Sequence, residues 1–245
     1  MDDEKSRIKR DKEPVNGTNR SLKNTAWIAV SSLVIIALVF AVSQVYLEYR
    51  RSVQRMDELT GELVQLRSAM NIDSVRQYQI QKILGIMSTH NDNLSSVDSY
   101  DIASEIYEMS VKYTNLDVDL ICAVITHESA GTWDPEVISP AGAMGLMQIM
   151  PVTGFFLANS EGIPWTTPED IIQNPIYNIR MGTRFLSMLT NDYGLEGGLA
   201  AYNGGEKYAA LWLKNGKDDQ YLLTETRGYI PAVTLLYQNY QADGL

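Results

Sequence analysis

Residues 26–47 of this 245-residue chain read AWIAVSSLVIIALVFAVSQVYL, 22 consecutive positions without a charge. A helix needs about 20 predominantly apolar residues to cross ~30 Å of hydrocarbon, so this stretch has the length of a transmembrane span. Trp27 and Tyr46 stand near its ends, where amphipathic rings favour the membrane interface. A long polar leader favours a retained anchor over residues 25–47. The competing reading is a cleaved signal peptide, for which Ala41, Val42 and Ser43 offer the small residues. Lys12, Arg20 and Lys23 balance Arg50, Arg51 and Arg55 across the stretch, and Lys5, Arg7, Lys9 and Arg10 tip the count toward an inside N-terminus.

Charge divides the chain in the same sense. Residues 1–95 carry 13 Lys/Arg against 11 Asp/Glu, whereas residues 96–245 carry 7 against 19. A segment that acidic repels phosphate backbones, which argues against nucleic acid as a partner. Cys122 is the only cysteine, so no intrachain disulfide can form, and its apolar neighbours give it the role of a small buried hydrophobe.

The organisation expected is a cytoplasmic tail over 1–24, the anchor over 25–47, a helical stalk or linker over 48–95 and a catalytic domain over 96–245. In the stalk Met56, Leu63 and Met70 occupy one seam position and Leu59 and Leu66 the other. Two readings follow: a stalk that pairs two copies, or an amphipathic spacer that packs on the domain. The spacer is favoured, because fewer than three clean heptads are present and Gly61 interrupts them. A continuous helix over 50–89 would reach up to ~60 Å at 1.5 Å per residue. The polar run HNDNLSS at 90–96 marks the domain boundary.

Beyond it the apolar spacing is helical. Ser99 is the expected cap of a helix bearing Ile102, Ile106 and Met109, and Asp117 caps the next, which Gly131 stops. Further helices are expected over 178–191, 198–202, 207–214 and 229–240, with loops over 132–144 and 161–167. Alternation of the strand kind is scarce, so the domain is expected to be mainly α.

Glu128 ends the apolar run through Ile121, Val124 and Ile125. Apolar walls and the negative end of a helix both favour a neutral carboxyl, the form a general acid requires. The adjacent His127 evokes the zinc-protease HExxH helix, but that motif needs a second histidine where Gly131 stands; with His90 the only other histidine, no metal site is expected.

The ordered set of Glu128 and Ser129, SPAGAMGLMQIMP at 139–151, NPIYNIRMGTRFL at 174–186, AAYNGG at 200–205 and ETRGYI at 225–230 resembles the successive motifs of soluble-lytic-transglycosylase-type domains. These belong to the goose-type-lysozyme-like superfamily, and the likeness covers roughly residues 100–240. It implies a lysozyme-like helical domain that cleaves the β-1,4 bond between N-acetylmuramic acid and N-acetylglucosamine in peptidoglycan, with no cofactor. Glu128 would protonate the leaving oxygen and then accept the proton of the muramic C6 hydroxyl as a 1,6-anhydro ring closes. Because no water enters, no second carboxylate is needed. A substrate beyond the cytoplasmic membrane agrees with an inside N-terminus.

The same resemblance implies substrate-binding roles. Ser139 and Gln148 offer polar groups to the N-acetyl and lactyl substituents. Met147 and Met150 supply adaptable apolar walls or core packing. Tyr202 is expected beside the cleaved bond, with Asn203 next to it. Glu225 and Tyr229 are expected in the groove, although Arg227 offers Glu225 an ion-pair partner instead. Ser129 is a positioning residue, since no base accompanies it as a nucleophile. The segment between Glu128 and Ser139 is slightly longer than the common pattern, and Gly205, Glu206 and Lys207 replace the usual continuation after Asn203. Two alternatives stay open: a hydrolytic muramidase that places water with Asp134 or another acid, and a non-catalytic wall-binding scaffold.

Overall fold

A computed structural model describes residues 18–242. Residues 1–17 of the charged leader lie outside the described residues. The chain divides into two compact units, Met1–Ala69 and Met70–Leu245.

In the first unit the described residues form one helix, the beginning of α1 (Thr18–Ser88). It includes a stretch long and apolar enough to cross a membrane, with a mean hydropathy of 2.5. Leu33, Ile36, Phe40 and Val42 are all exposed to the surroundings, so this segment has no core of its own.

The second unit takes in the last turns of α1, where Ile80, Ile83 and Met87 are fully buried. The polar stretch at 90–96 therefore separates two helices, while the compact unit reaches back to Met70. It continues with α2 (Ser96–Lys112), α3 (Val118–Glu128), α4 (Pro151–Ser160), α5 (Pro168–Ile172), α6 (Pro175–Gly204), α7 (Glu206–Lys214) and α8 (Thr224–Ala242), with a 3-10 turn at Asp219–Tyr221. No strand occurs among the described residues; two isolated bridges join Ile138 to Met144 and Met144 to Ile149. The mainly helical class expected from the sequence is observed.

The cap of α2 is Ser95 rather than Ser99: its hydroxyl accepts the Asp98 N–H at 3.1 Å. Asp117 caps α3 as expected, accepting the Leu120 N–H at 2.8 Å. All but the last two residues of α3 are buried, so its apolar run is the centre of the core. The helices expected over 178–191 and 198–202 are the two arms of α6, separated by a kink where Gly194 leaves helical geometry at φ 71°. Ion pairs fasten neighbouring elements: Lys82 of α1 holds Asp119 of α3 at 2.7 Å, and Arg180 of α6 grips Glu105 of α2 through two bonds of 2.7 and 3.0 Å. The largely buried Glu161 after α4 accepts from Lys112, Tyr113 and Arg184 at 2.6, 2.7 and 3.1 Å.

Candidate active site

Glu128 is the last residue of α3, and the turn beyond it is tightly built. Ala130, Gly131 and Trp133 all have positive φ, 52°, 74° and 49°. A non-glycine residue there is strained unless its surroundings hold it. Here they do. The Ser129 hydroxyl accepts the Trp133 N–H at 3.1 Å, and the Trp133 indole donates to the Thr126 hydroxyl at 2.9 Å. Thr126 is bonded in turn to Tyr240 of α8, which reaches His90 at 3.2 Å. Ser129 is fully buried, so it shapes the turn and faces no groove.

The Glu128 carboxyl is half-buried, and desolvation pushes it up from 4.5 to about 7. The charge of Glu225 adds to the rise, and the nearby Tyr229 hydroxyl opposes it. That hydroxyl is buried, and among the described residues it makes no hydrogen bond of ordinary length. The Tyr229 ring meets His127 edge to face at 4.7 Å. Burial holds the imidazole below its usual pKa. Tyr202 is also within electrostatic reach of Glu128, and its hydroxyl donates to the Met147 carbonyl at 2.8 Å.

That bond couples the carboxyl cluster to the bridged segment before α4. Ser139 accepts the Ala143 N–H at 3.0 Å, and Gln148, at φ 47°, donates its side-chain amide to the Gly145 carbonyl at 2.9 Å. Both side chains therefore hold the segment in shape. Met147 is fully buried, so its side chain packs in the core and its backbone carbonyl meets Tyr202. Met150 is exposed at the cap of α4. Asn203 accepts the Thr226 hydroxyl at 2.7 Å, joining α6 to α8.

Of the two readings open for Glu225, the ion pair is not seen. Arg227 donates to the Leu222 carbonyl at 3.2 and 3.3 Å, and no ion pair with Glu225 occurs among the described residues. Glu225 and Arg227 are two residues apart on α8, and such pairs point to different helix faces. Glu225 is exposed, with its charge available to Glu128 and His127.

Asn178 belongs to the motif at 174–186, which assigns it no role. Fully buried in α6, it donates to the Met144 and Ile172 carbonyls, both at 2.9 Å, and accepts the Met147 N–H at 2.7 Å. Gly145 makes room for it, since a Cβ there would run into the Asn178 amide and the Ile172 carbonyl. The available signal was an amide on the face of α6 that Ile179 and Leu186 bury. Among the described residues no group of three or more His, Cys, Asp or Glu side chains is placed to hold a metal ion.

Among the described residues the second unit is thus a strand-free helical core that carries a partly desolvated carboxyl at the end of α3. Residues 105–223 match the model of the Transglycosylase SLT domain. The soluble lytic murein transglycosylase of Escherichia coli K12 is 37% identical over 128 residues, which are 48% of this chain and 19% of that protein. The membrane-bound lytic murein transglycosylase C of Glaesserella parasuis serovar 5 is 35% identical over 111 residues, 41% of this chain and 29% of that one. Among solved structures, an inactive mutant of lytic transglycosylase Slt from Pseudomonas aeruginosa aligns with a TM-score of 0.50 and 26% identity, over 57% of this chain and 24% of that chain. The chain thus spans less than a third of the length of these relatives.

Proposed function

We propose that the chain is a membrane-anchored lytic transglycosylase that cleaves peptidoglycan between N-acetylmuramic acid and N-acetylglucosamine. The observation that carries this reading is the Glu128 carboxyl, raised to about 7 at the end of an apolar helix within an SLT domain. Near neutral pH such a group exists in both forms, as a residue that first gives and then takes a proton requires.

In the proposed sequence the Glu128 O–H donates its proton to the glycosidic oxygen as the bond from muramic C1 to that oxygen breaks. The resulting carboxylate takes the proton of the muramic C6 hydroxyl while O6 bonds to C1. A 1,6-anhydro ring forms, no water is consumed, and Glu128 ends protonated. The charge of Glu225 favours the protonated start, and the Tyr229 hydroxyl is positioned to steady the ionised stage. Tyr202 fixes the Met147 carbonyl, and through it the bridged segment, beside the reacting bond. Ser139, Gln148 and Met150 contribute from that segment to the groove, Asn203 supports it through Thr226, and Ser129 holds the turn after the acid.

Residues 26–47 anchor the chain in the cytoplasmic membrane, with the N-terminus inside and the domain on the side where peptidoglycan lies. The apolar helix and a relative named as membrane-bound support this placement. The decisive experiment is mass spectrometry of muropeptides released by the detergent-solubilised full chain, beside Glu128→Gln. Products one water lighter than hydrolysis products, absent with the variant, are expected. Full-weight reducing ends would replace the reading with a hydrolytic muramidase. Wall binding without release by folded wild type would replace it with a scaffold.

A further inference from the structure

We infer that two copies of this chain pair through a parallel coiled coil whose seam runs along residues 42–66. Met56, Leu59, Leu63 and Leu66 follow one another at alternating steps of three and four, and are 65%, 55%, 65% and 58% exposed. Long helices in water draw most of their stability from burying such a face, and no described element covers this one. The same register continues toward the N-terminus through Val45 and Val42, with Tyr49 and Ser52 filling the positions between. One stripe therefore passes from the stalk into the apolar stretch without a stutter.

The flanking charges select a second copy as the occupant. With Met56 and Leu63 at position a, Glu62 falls at g and Arg67 at e. In a parallel in-register pair each g residue faces the e residue five positions on in the other copy, so Glu62 meets Arg67 twice. The other facing pairs are Glu48 with Val53 and Arg55 with Thr60, and none joins like charges. Thr60 donates its hydroxyl to the Met56 carbonyl at 2.7 Å, so it asks nothing of a partner. Asp57 and Glu58 lie on the outward face. Gly61 falls at f, the position farthest from the seam, so its interruption of the pattern leaves the contact surface intact.

The parallel sense rests on the anchoring proposed above, which makes both copies enter the membrane with one orientation. The stripe itself is independent of it.

The test is disulfide trapping of the full chain in native membranes, with one cysteine introduced at a time. Cys122 is buried, so the unmodified chain serves as the blank. Leu59→Cys, Leu63→Cys and Leu66→Cys are expected to give several-fold more covalent dimer under mild oxidation than Gln54→Cys, Gly61→Cys and Ser68→Cys on the outer face. Equal trapping on both faces, or none at the three seam positions, overturns the proposal. Alkaline carbonate washing of the same membranes separates the two ideas. A chain released by the wash refutes the anchoring, and trapping of that released chain still scores the pairing.

Discussion

In the first unit Leu33, Ile36 and Phe40 stand exposed on a helix, whereas in α3 of the second unit Leu120, Ile121, Val124 and Ile125 are enclosed on every side. Both runs are rich in large aliphatic residues, and both fold as helices. The second is shorter, capped by Asp117, and surrounded by segments whose own apolar faces close over it. The first belongs to a helix of 71 residues, too long for a core helix of a domain this size. The contrast teaches that apolar content sets how much must be covered, while length and flanking polar signals separate a core helix from one with the length of a membrane span. α1 itself changes along its length, exposed at Leu66 and buried at Ile80.

The comparison can be broken by perturbing one unit and watching the other. Asn178→Asp has the largest expected effect. It turns the two donors facing the Met144 and Ile172 carbonyls into acceptors, and should destabilise the second unit by about 3 kcal/mol or more. Thermal unfolding should report the loss, while membrane retention stays unchanged. Leu38→Arg is the reciprocal case. If residues 26–47 span the membrane as proposed, a charge at their centre opposes insertion by about 3 kcal/mol, so carbonate washing should release more chain while the unfolding transition of the second unit holds.

Glu128→Gln sharpens the difference in a third way, because a functional carboxyl is held where ionisation is disfavoured. The folded value of about 7 lies above the ordinary 4.5, so the ionised form weakens the fold above pH 7 and the penalty vanishes below pH 4.5. The amide should therefore stabilise the second unit by up to about 3 kcal/mol at pH 8, and by little at pH 4, in denaturant titrations. Tyr202→Phe has the smallest expected effect. Loss of the bond to the Met147 carbonyl should lower stability by about 1 kcal/mol in the same titrations.

Much of this was readable before any coordinates, and the exceptions share a cause. α3, its Asp117 cap and the loops around Glu128 depend on neighbours in sequence, which periodicity and capping rules describe. Ser95 was readable too: with Asp98 three residues on, it has the spacing of a capping box, yet Ser99 nearer the apolar run drew the assignment. Asn178 depends on a carbonyl at Met144 and an N–H at Met147, both more than thirty residues away, which no local pattern encodes. The two possible roles of Met147 were separated only by its burial. The short helices α4 and α5 each start at a proline, a usable signal that the motif reading of Met150 and the expected loop before residue 168 obscured.

The central claim is that the fold keeps Glu128 partly protonated at neutral pH. Carbon-13 NMR of the glutamate side-chain carboxyls, assigned by comparison with Glu128→Gln, measures this directly. A carboxyl that titrates near pH 7 in the wild type and is missing from the variant is expected. A Glu128 resonance titrating near 4.5 would contradict it.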